Sequence, residues 1–170
     1  MPKPTVDPRF HAFRDAVAAN LEAAAEMLAQ DAVVLRLRNE LGETAMHFFA
    51  VEGFPGEVVW LIENGSEVDT QNKFKQTPLM EVAGMGRLEM CQLLVSLGAS
   101  FGYVSSRGES VLSAAASSDE AEVVKYLLAL IPTEIDINSF FDNVEAEMTL
   151  RHSPKSAELL TRRGLKKRWP

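Results

Sequence analysis

Hydrophobic positions in this chain recur at two scales. At the shorter one, Leu88, Cys91, Leu94 and Val95 fall at i, i+3, i+6 and i+7, the spacing of one helical face. Upstream, Leu79, Val82 and Ala83 mark another short helix, with Thr77 as its cap and Pro78 in its first turn, where proline's missing N–H costs nothing. Gly84 and Gly86 close that segment. Gly98 ends the Leu88 helix, at a place where the left-handed cap conformation favours glycine. The longer scale is a step of 33 residues, which relates Thr44, Thr77 and Ser110, and likewise Gly53, Gly86 and Asp119. Val58, Cys91 and Val124 keep the same step, as do Trp60, Leu93 and Tyr126, and Leu61, Leu94 and Leu127. Gly65 and Gly98 share it as well. The next step lands on Ile131, and one more on Gly164. A period of this length denotes a solenoid, in which no unit buries its apolar face alone and stacking supplies the core. Ala50, Ala83 and Ala116 keep the first helix of each unit narrow enough for close approach.

Set in phase, the units run GETAMHFFAVEG…VVWLIENGSEVD, then KQTPLMEVAGMGRLEMCQLLVSLGAS, then GESVLSAAASSDEAEVVKYLL. This pattern resembles the ankyrin repeat: a turn with Gly, Thr-Pro-Leu-His, paired alanines, Gly, Leu-Glu, two leucines and Gly-Ala. The resemblance covers residues 39–138. FRDAVAANLEAAAEMLAQD resembles a degenerate leading unit with Asn20-Leu21-Glu22 at its corner, and HSPKSAELLTRRG a degenerate closing unit. The resemblance implies an all-α fold, a solenoid of helix–turn–helix units joined by short β-hairpin-like turns. The expected organisation is a flexible segment 1–8, a single ankyrin-repeat domain 9–164, and a basic tail 165–170. Within the domain, an end unit 9–38 precedes repeats 39–71, 72–104 and 105–138, and an end unit 139–164 follows. Two departures stand out. Lys75 occupies the place of Gly42 and Gly108, so that turn lacks glycine's freedom at positive φ. Ile131-Pro132 replaces the closing glycine, so the loop 131–139 is expected to differ, and the last unit's first helix is expected near Val144–Leu150.

Composition narrows the function. A chain of 170 residues, 46% apolar with mean hydropathy −0.04, suits one soluble domain and excludes a wholly disordered chain. No apolar stretch approaches the roughly 18 residues of a spanning helix, and MPKPTVDPRF is not a secretory signal. The single cysteine rules out an internal disulfide, so a reducing cytoplasmic setting is the expectation. Net charge is −7, unevenly spread: residues 1–160 carry 12 Lys and Arg against 24 Asp and Glu, whereas the last ten residues total +5. Residues 39–72 hold seven acids and no Lys or Arg. An acidic body argues against nucleic acid as the main ligand and suits a basic partner surface.

Chemistry beyond binding finds little support. His11, His47 and His152 have no metal-ligand spacing. The resemblance gives His47 a structural role, a hydrogen bond tying turn to helix. Cys91 is in phase with Val58 and Val124 and therefore belongs to the core. The glycines at 84 and 86 lack the lysine and hydroxyl of a phosphate loop. No catalytic residue, metal or cofactor is expected. Arg162, Arg163, Lys166, Lys167, Arg168 and Trp169 form either a solvated end or a contact segment.

Partners of the ankyrin family usually meet the concave side, formed by turn tips and the exposed face of the first helix. Carried across, those positions are Glu40, Leu41, Glu43, Val51 and Glu52, then Lys73, Phe74, Gln76 and Met85, then Ser106, Arg107 and Glu109. Leu41 and Phe74 are apolar at tips one repeat apart, with Arg107 next in phase, and form a candidate hot-spot row ringed by charge. The expectation is a non-catalytic protein–protein interaction module, a monomer on its own. It would bind a protein with a basic patch and act by occupancy as inhibitor, immunity-type antidote or adaptor. Two alternatives stay open: a small-ligand protein or enzyme with a pocket in the acidic first repeats, and nucleic-acid contact through the tail.

Overall fold

The short stretches of helical spacing become helices, started by caps such as Asn20 and Ser110 and ended at left-handed glycines such as Gly53 and Gly164. The computed structural model describes residues 6–105, 108–141 and 143–166. Those residues hold ten α-helices and no strand; a lone antiparallel bridge joins Val104 and Ser110. Residues 1–5 of the expected flexible segment, Ser106 and Arg107 of the third tip, and residues 167–170 of the basic tail lie outside the described residues. The chain divides into two compact units, Met1–Pro78 and Leu79–Pro170.

In the first unit, α1 (Pro8–Ala19) begins with the Asp7 carboxylate accepting the Arg9 N–H. Asn20, the corner of the degenerate leading unit, caps α2 (Leu21–Gln30) by accepting the N–H groups of Glu22 and Ala23. A 3-10 turn over Ala32–Arg36 leads to α3 (Ala45–Glu52) and α4 (Pro55–Glu63). Phe13, Val17, Ala24, Met46, Phe49, Ala50, Val58 and Leu61 are buried and form this unit's core.

The second unit contains α5 (Pro78–Gly84), α6 (Leu88–Ser96), α7 (Val111–Ser117), α8 (Ala121–Leu130), α9 (Asn143–His152) and α10 (Pro154–Arg163). Here the stacking is direct. The second helices α6, α8 and α10 pack one on the next, and the first helix α9 packs on α7. Ala83 and Ala116 are fully buried, as close helix approach requires. The loop after Ile131 departs from the earlier turns: Ile131 is extended, and a 3-10 turn over Ile137–Phe140 follows. The last helix and its end fasten it. Arg163 Nη2 donates to the Pro132 carbonyl at 2.6 Å, and Asn138 bonds the Gly164 carbonyl and the Lys166 N–H.

Two positions that glycine fills in other units are held by bulkier residues without a change of backbone. Lys75 has φ +67° and Asp119 has φ +59°. A left-handed conformation costs a side chain about 1 kcal/mol or more, so Lys75→Gly is expected to stabilise the protein by about 0.5–1 kcal/mol, read from urea unfolding. Asp119→Gly is expected to gain nothing. The Asp119 carboxylate accepts the Ser156 N–H at 2.8 Å, capping α10 from outside the helix, and loss of that cap offsets the relieved strain.

Candidate functional site

The turn tips owe their shape to one polar side chain each. Asn39 Oδ1 accepts the N–H groups of Leu41 and Glu43, and Asn72 Oδ1 those of Phe74 and Gln76. Ser105 Oγ accepts the Glu109 N–H. In each turn the first residue's N–H also bonds the carbonyl four residues on: Asn39 to Glu43, Asn72 to Gln76, Ser105 to Glu109. These three residues lie one repeat step apart, and that shared phase was the signal available in the sequence; they were not among the expected site residues.

In the first unit the two tips adjoin. Lys73 N–H donates to the Leu41 carbonyl at 2.9 Å, and the Lys73 ammonium donates to the Glu40 carbonyl. Gly42 sits beneath this contact at φ +79°, where a Cβ would come within 2.9 Å of the Lys73 backbone nitrogen. Only glycine fits there. Arg38, also absent from the expected set, ties the two turns together by donating to the carbonyls of Gly42 and Gln71 and to the Thr70 hydroxyl. A cleft of about 270 Å³ lies alongside, lined by Val6, Asp7, Arg38, Asn39, Glu40, Gly42, Gln71, Asn72 and Lys73.

On this frame Leu41 and Phe74 stay 48% and 46% exposed although both are apolar, because the backbone bonds hold the tips outward. Glu40 and Lys73 are exposed beside them. Glu43 is half-buried, its carboxylate accepting from Asn39 Nδ2 at 2.6 Å, so it serves the turn more than the surface. Gln76 is half-buried and engaged through its backbone. Val51 and Glu52 end α3, half-buried and exposed respectively. One turn earlier Phe48 is half-buried, with the Arg14 guanidinium 5.0 Å over its ring. In the second unit Met85, just past α5, is 50% exposed, and Glu109 is half-buried in its turn.

His47 joins turn to helix. Its Nε2 lies 3.2 Å from the Gln76 carbonyl, which can only accept, so Nε2 carries the proton. Nδ1 then accepts from the Thr44 N–H and hydroxyl at 3.3 and 3.2 Å. Burial pushes the His47 pKa down to about 4; the Gln76 bond opposes this and the charge of Arg38 adds to it. In the second unit Ser110 and Ser113 close the corresponding box reciprocally, and Ser110 Oγ donates to the Phe140 carbonyl. Cys91 is fully buried and its thiol is pushed up to about 12 by that burial, so it stays protonated and packs as an apolar group. Among the described residues no three His, Cys, Asp or Glu side chains converge in a metal-binding group. No helix among them is long and apolar enough to cross a membrane.

Paired helices on a repeating step, turns locked at their tips and a histidine bridging to the next turn find their counterpart in known proteins. The family model described as ankyrin repeats (3 copies) matches residues 49–140. The chain belongs to the ankyrin-repeat family. Ankyrin-repeat domains are in general non-catalytic, and the family identifies this one as a protein–protein interaction module. The chain is similar to the transient receptor potential cation channel subfamily A member 1 homolog of Caenorhabditis elegans, with 32% identity over 116 residues, 68% of this chain and 10% of the channel. It is also similar to the serine/threonine-protein kinase VIK of Arabidopsis thaliana, with 30% identity over 76 residues, 45% of this chain and 17% of the kinase. The ankyrin-repeat chain thus spans a small part of either relative's length.

Proposed function

We propose that the paired tips of the first unit, Glu40, Leu41, Lys73 and Phe74, together with Val51 and Glu52 at the end of α3, hold a partner protein. The partner offers apolar side chains to Leu41 and Phe74 and basic ones to the surrounding acids, and it is controlled by occupancy, this chain acting as inhibitor, immunity-type antidote or adaptor in a reducing cytoplasm. The observation that carries this is the pair of half-exposed apolar side chains on rigid, hydrogen-bonded tips, an arrangement that favours tight contact because little order is lost on binding. The acid run of residues 39–72 supports the charge of the partner. Met85 and Glu109, with Ser106 and Arg107, are proposed as contacts of the second unit on the strength of their repeat phase alone.

The test is capture from a source-cell extract, followed by affinity measurement on the captured protein. The Leu41→Ala, Phe74→Ala double variant is expected to bind at least about tenfold more weakly with an unchanged circular dichroism spectrum. Glu40→Lys with Glu52→Lys is expected to slow association at low salt while leaving dissociation nearly as it was. Glu43 is a poor choice for reversal, since its carboxylate belongs to the turn. Undiminished binding by both variants would dismiss this surface.

A further inference from the structure

Among the asparagines of the chain, Asn64 alone precedes a glycine. That pair loses its side-chain amide more readily than any other asparagine pair, because glycine has no side chain to shield the attacking backbone nitrogen. Gly65 is exposed, stands at φ +92°, and has nothing within 4 Å of where a Cβ would lie. Asn64 is the C-cap of α4, in the first unit. Gly65 and Ser66 complete the cap, their N–H groups donating to the carbonyls of Ile62 at 3.0 Å and Leu61 at 2.9 Å. The next repeat closes its helix in the same way without an amide. Leu97 stands one step after Asn64, and Gly98 and Ala99 donate to the carbonyls of Val95 and Leu94. The cap therefore does not depend on asparagine at position 64.

Two hydrogen bonds hold the reaction off in the closed cap. The Gly65 N–H is engaged with Ile62, and Asn64 Nδ2 donates back to the Trp60 carbonyl at 2.8 Å, turning the amide along the helix. Opening of the last turn of α4 releases both. We propose that Asn64–Gly65 is a site of spontaneous covalent modification, restrained by the α4 cap and permitted by each opening of that turn. The Gly65 backbone nitrogen attacks Asn64 Cγ. The new N–C bond forms as the bond from Cγ to Nδ2 breaks, and Nδ2 leaves as ammonia with the Gly65 proton. Water, the sole co-reactant, then opens the cyclic imide at either carbonyl. One opening leaves an aspartate; the other leaves an isoaspartate, whose main chain runs through the former side chain. Either product loses the donor to Trp60 and sets a carboxylate at the C-terminal end of α4, where the helix dipole disfavours it. That carboxylate falls within the run 39–72, which holds seven acids and no Lys or Arg. The isoaspartate also lengthens the backbone inside the cap, putting the bonds to Leu61 and Ile62 out of register. Modification therefore loosens the end of α4.

Peptide mapping with isoaspartate detection tests this on the whole chain, aged at mildly alkaline pH in native buffer and in guanidinium chloride. The native protein is expected to accumulate aspartate and isoaspartate at position 64, at least about tenfold more slowly than the denatured chain. No product at that position in native buffer by the time the denatured chain is converted would overturn the proposal. Equal rates in the two solutions would overturn the restraint by the cap. Asn64→Leu, which takes the residue of the next repeat, is expected to fold with a wild-type helical spectrum and to keep its urea midpoint on ageing. The aged wild type is expected to unfold at lower urea in step with conversion at position 64, and fresh Asn64→Asp at lower urea than fresh wild type. A midpoint that survives full conversion would overturn the loosening of α4.

Discussion

Replacing Leu94 by alanine is expected to lower the unfolding free energy by about 2–5 kcal/mol. Leu94 is fully buried on α6, and its repeat-phase counterparts Leu61 and Leu127 are 0% and 1% exposed. All three serve the same task, filling the space between a second helix and its neighbours. Truncation removes the transfer free energy of the lost methyl groups and leaves a cavity that close-packed helices fill only partly. Against a total stability of about 5–15 kcal/mol, that is a large share. Urea unfolding should show a lowered midpoint with little change in slope if the loss is purely one of packing. Gln92→Ala, on the exposed face of the same helix, should change stability by no more than about 0.5 kcal/mol. Equal effects at 92 and 94 would mean that α6 presents a different face to the core.

Acid should weaken the fold through His47. Its folded pKa of about 4 lies below the ordinary value of 6.5, so between these limits the unfolded chain binds the proton more readily than the folded one. Stability from this group is therefore full above about pH 6.5, falls as pH drops through the window, and is lost by about pH 4, a total of about 3 kcal/mol. Roughly 2 kcal/mol of it should be gone by about pH 5. The cause is local. Nδ1 already accepts from Thr44, so a proton added there turns an acceptor into a donor facing a backbone N–H, inside the buried joint between α3 and the next turn. Unfolding free energies at pH 7.5 and 5 check this, with His47→Gln as the comparison. The variant should be less stable at pH 7.5 yet lose distinctly less on acidification. An unchanged pH slope in His47→Gln would place the acid sensitivity elsewhere.

Much of the architecture is written locally. Caps at Asn20 and Ser110, prolines at Pro55 and Pro78, and glycines at Gly53, Gly65 and Gly98 act within a turn or two of the backbone, and the helices begin and end around them. The 33-residue phase extends this to the core, because equivalent positions in successive repeats meet similar surroundings: Val58, Cys91 and Val124 are all fully buried. The candidate tips Leu41 and Phe74 are legible for the same reason.

The sequence by itself thus determined the helix pairs, their repeat and the faces they bury, since each depends on short-range geometry repeated in step. The tertiary structure alone decided which groups are already spent. Arg38 bonds a residue 33 positions away, Glu43 turns inward to Asn39, and Asp119 caps a helix that starts 35 residues later. It also decided where the pattern outruns its neighbours. Lys75 keeps a glycine's conformation because the surrounding turn outweighs a strain of about 1 kcal/mol. Val144, one repeat step after the buried Val111, is 69% exposed. The reason is the same in each case: propensity and periodicity are properties of adjacent residues, whereas exposure and hydrogen-bond partnership depend on what distant segments bring alongside.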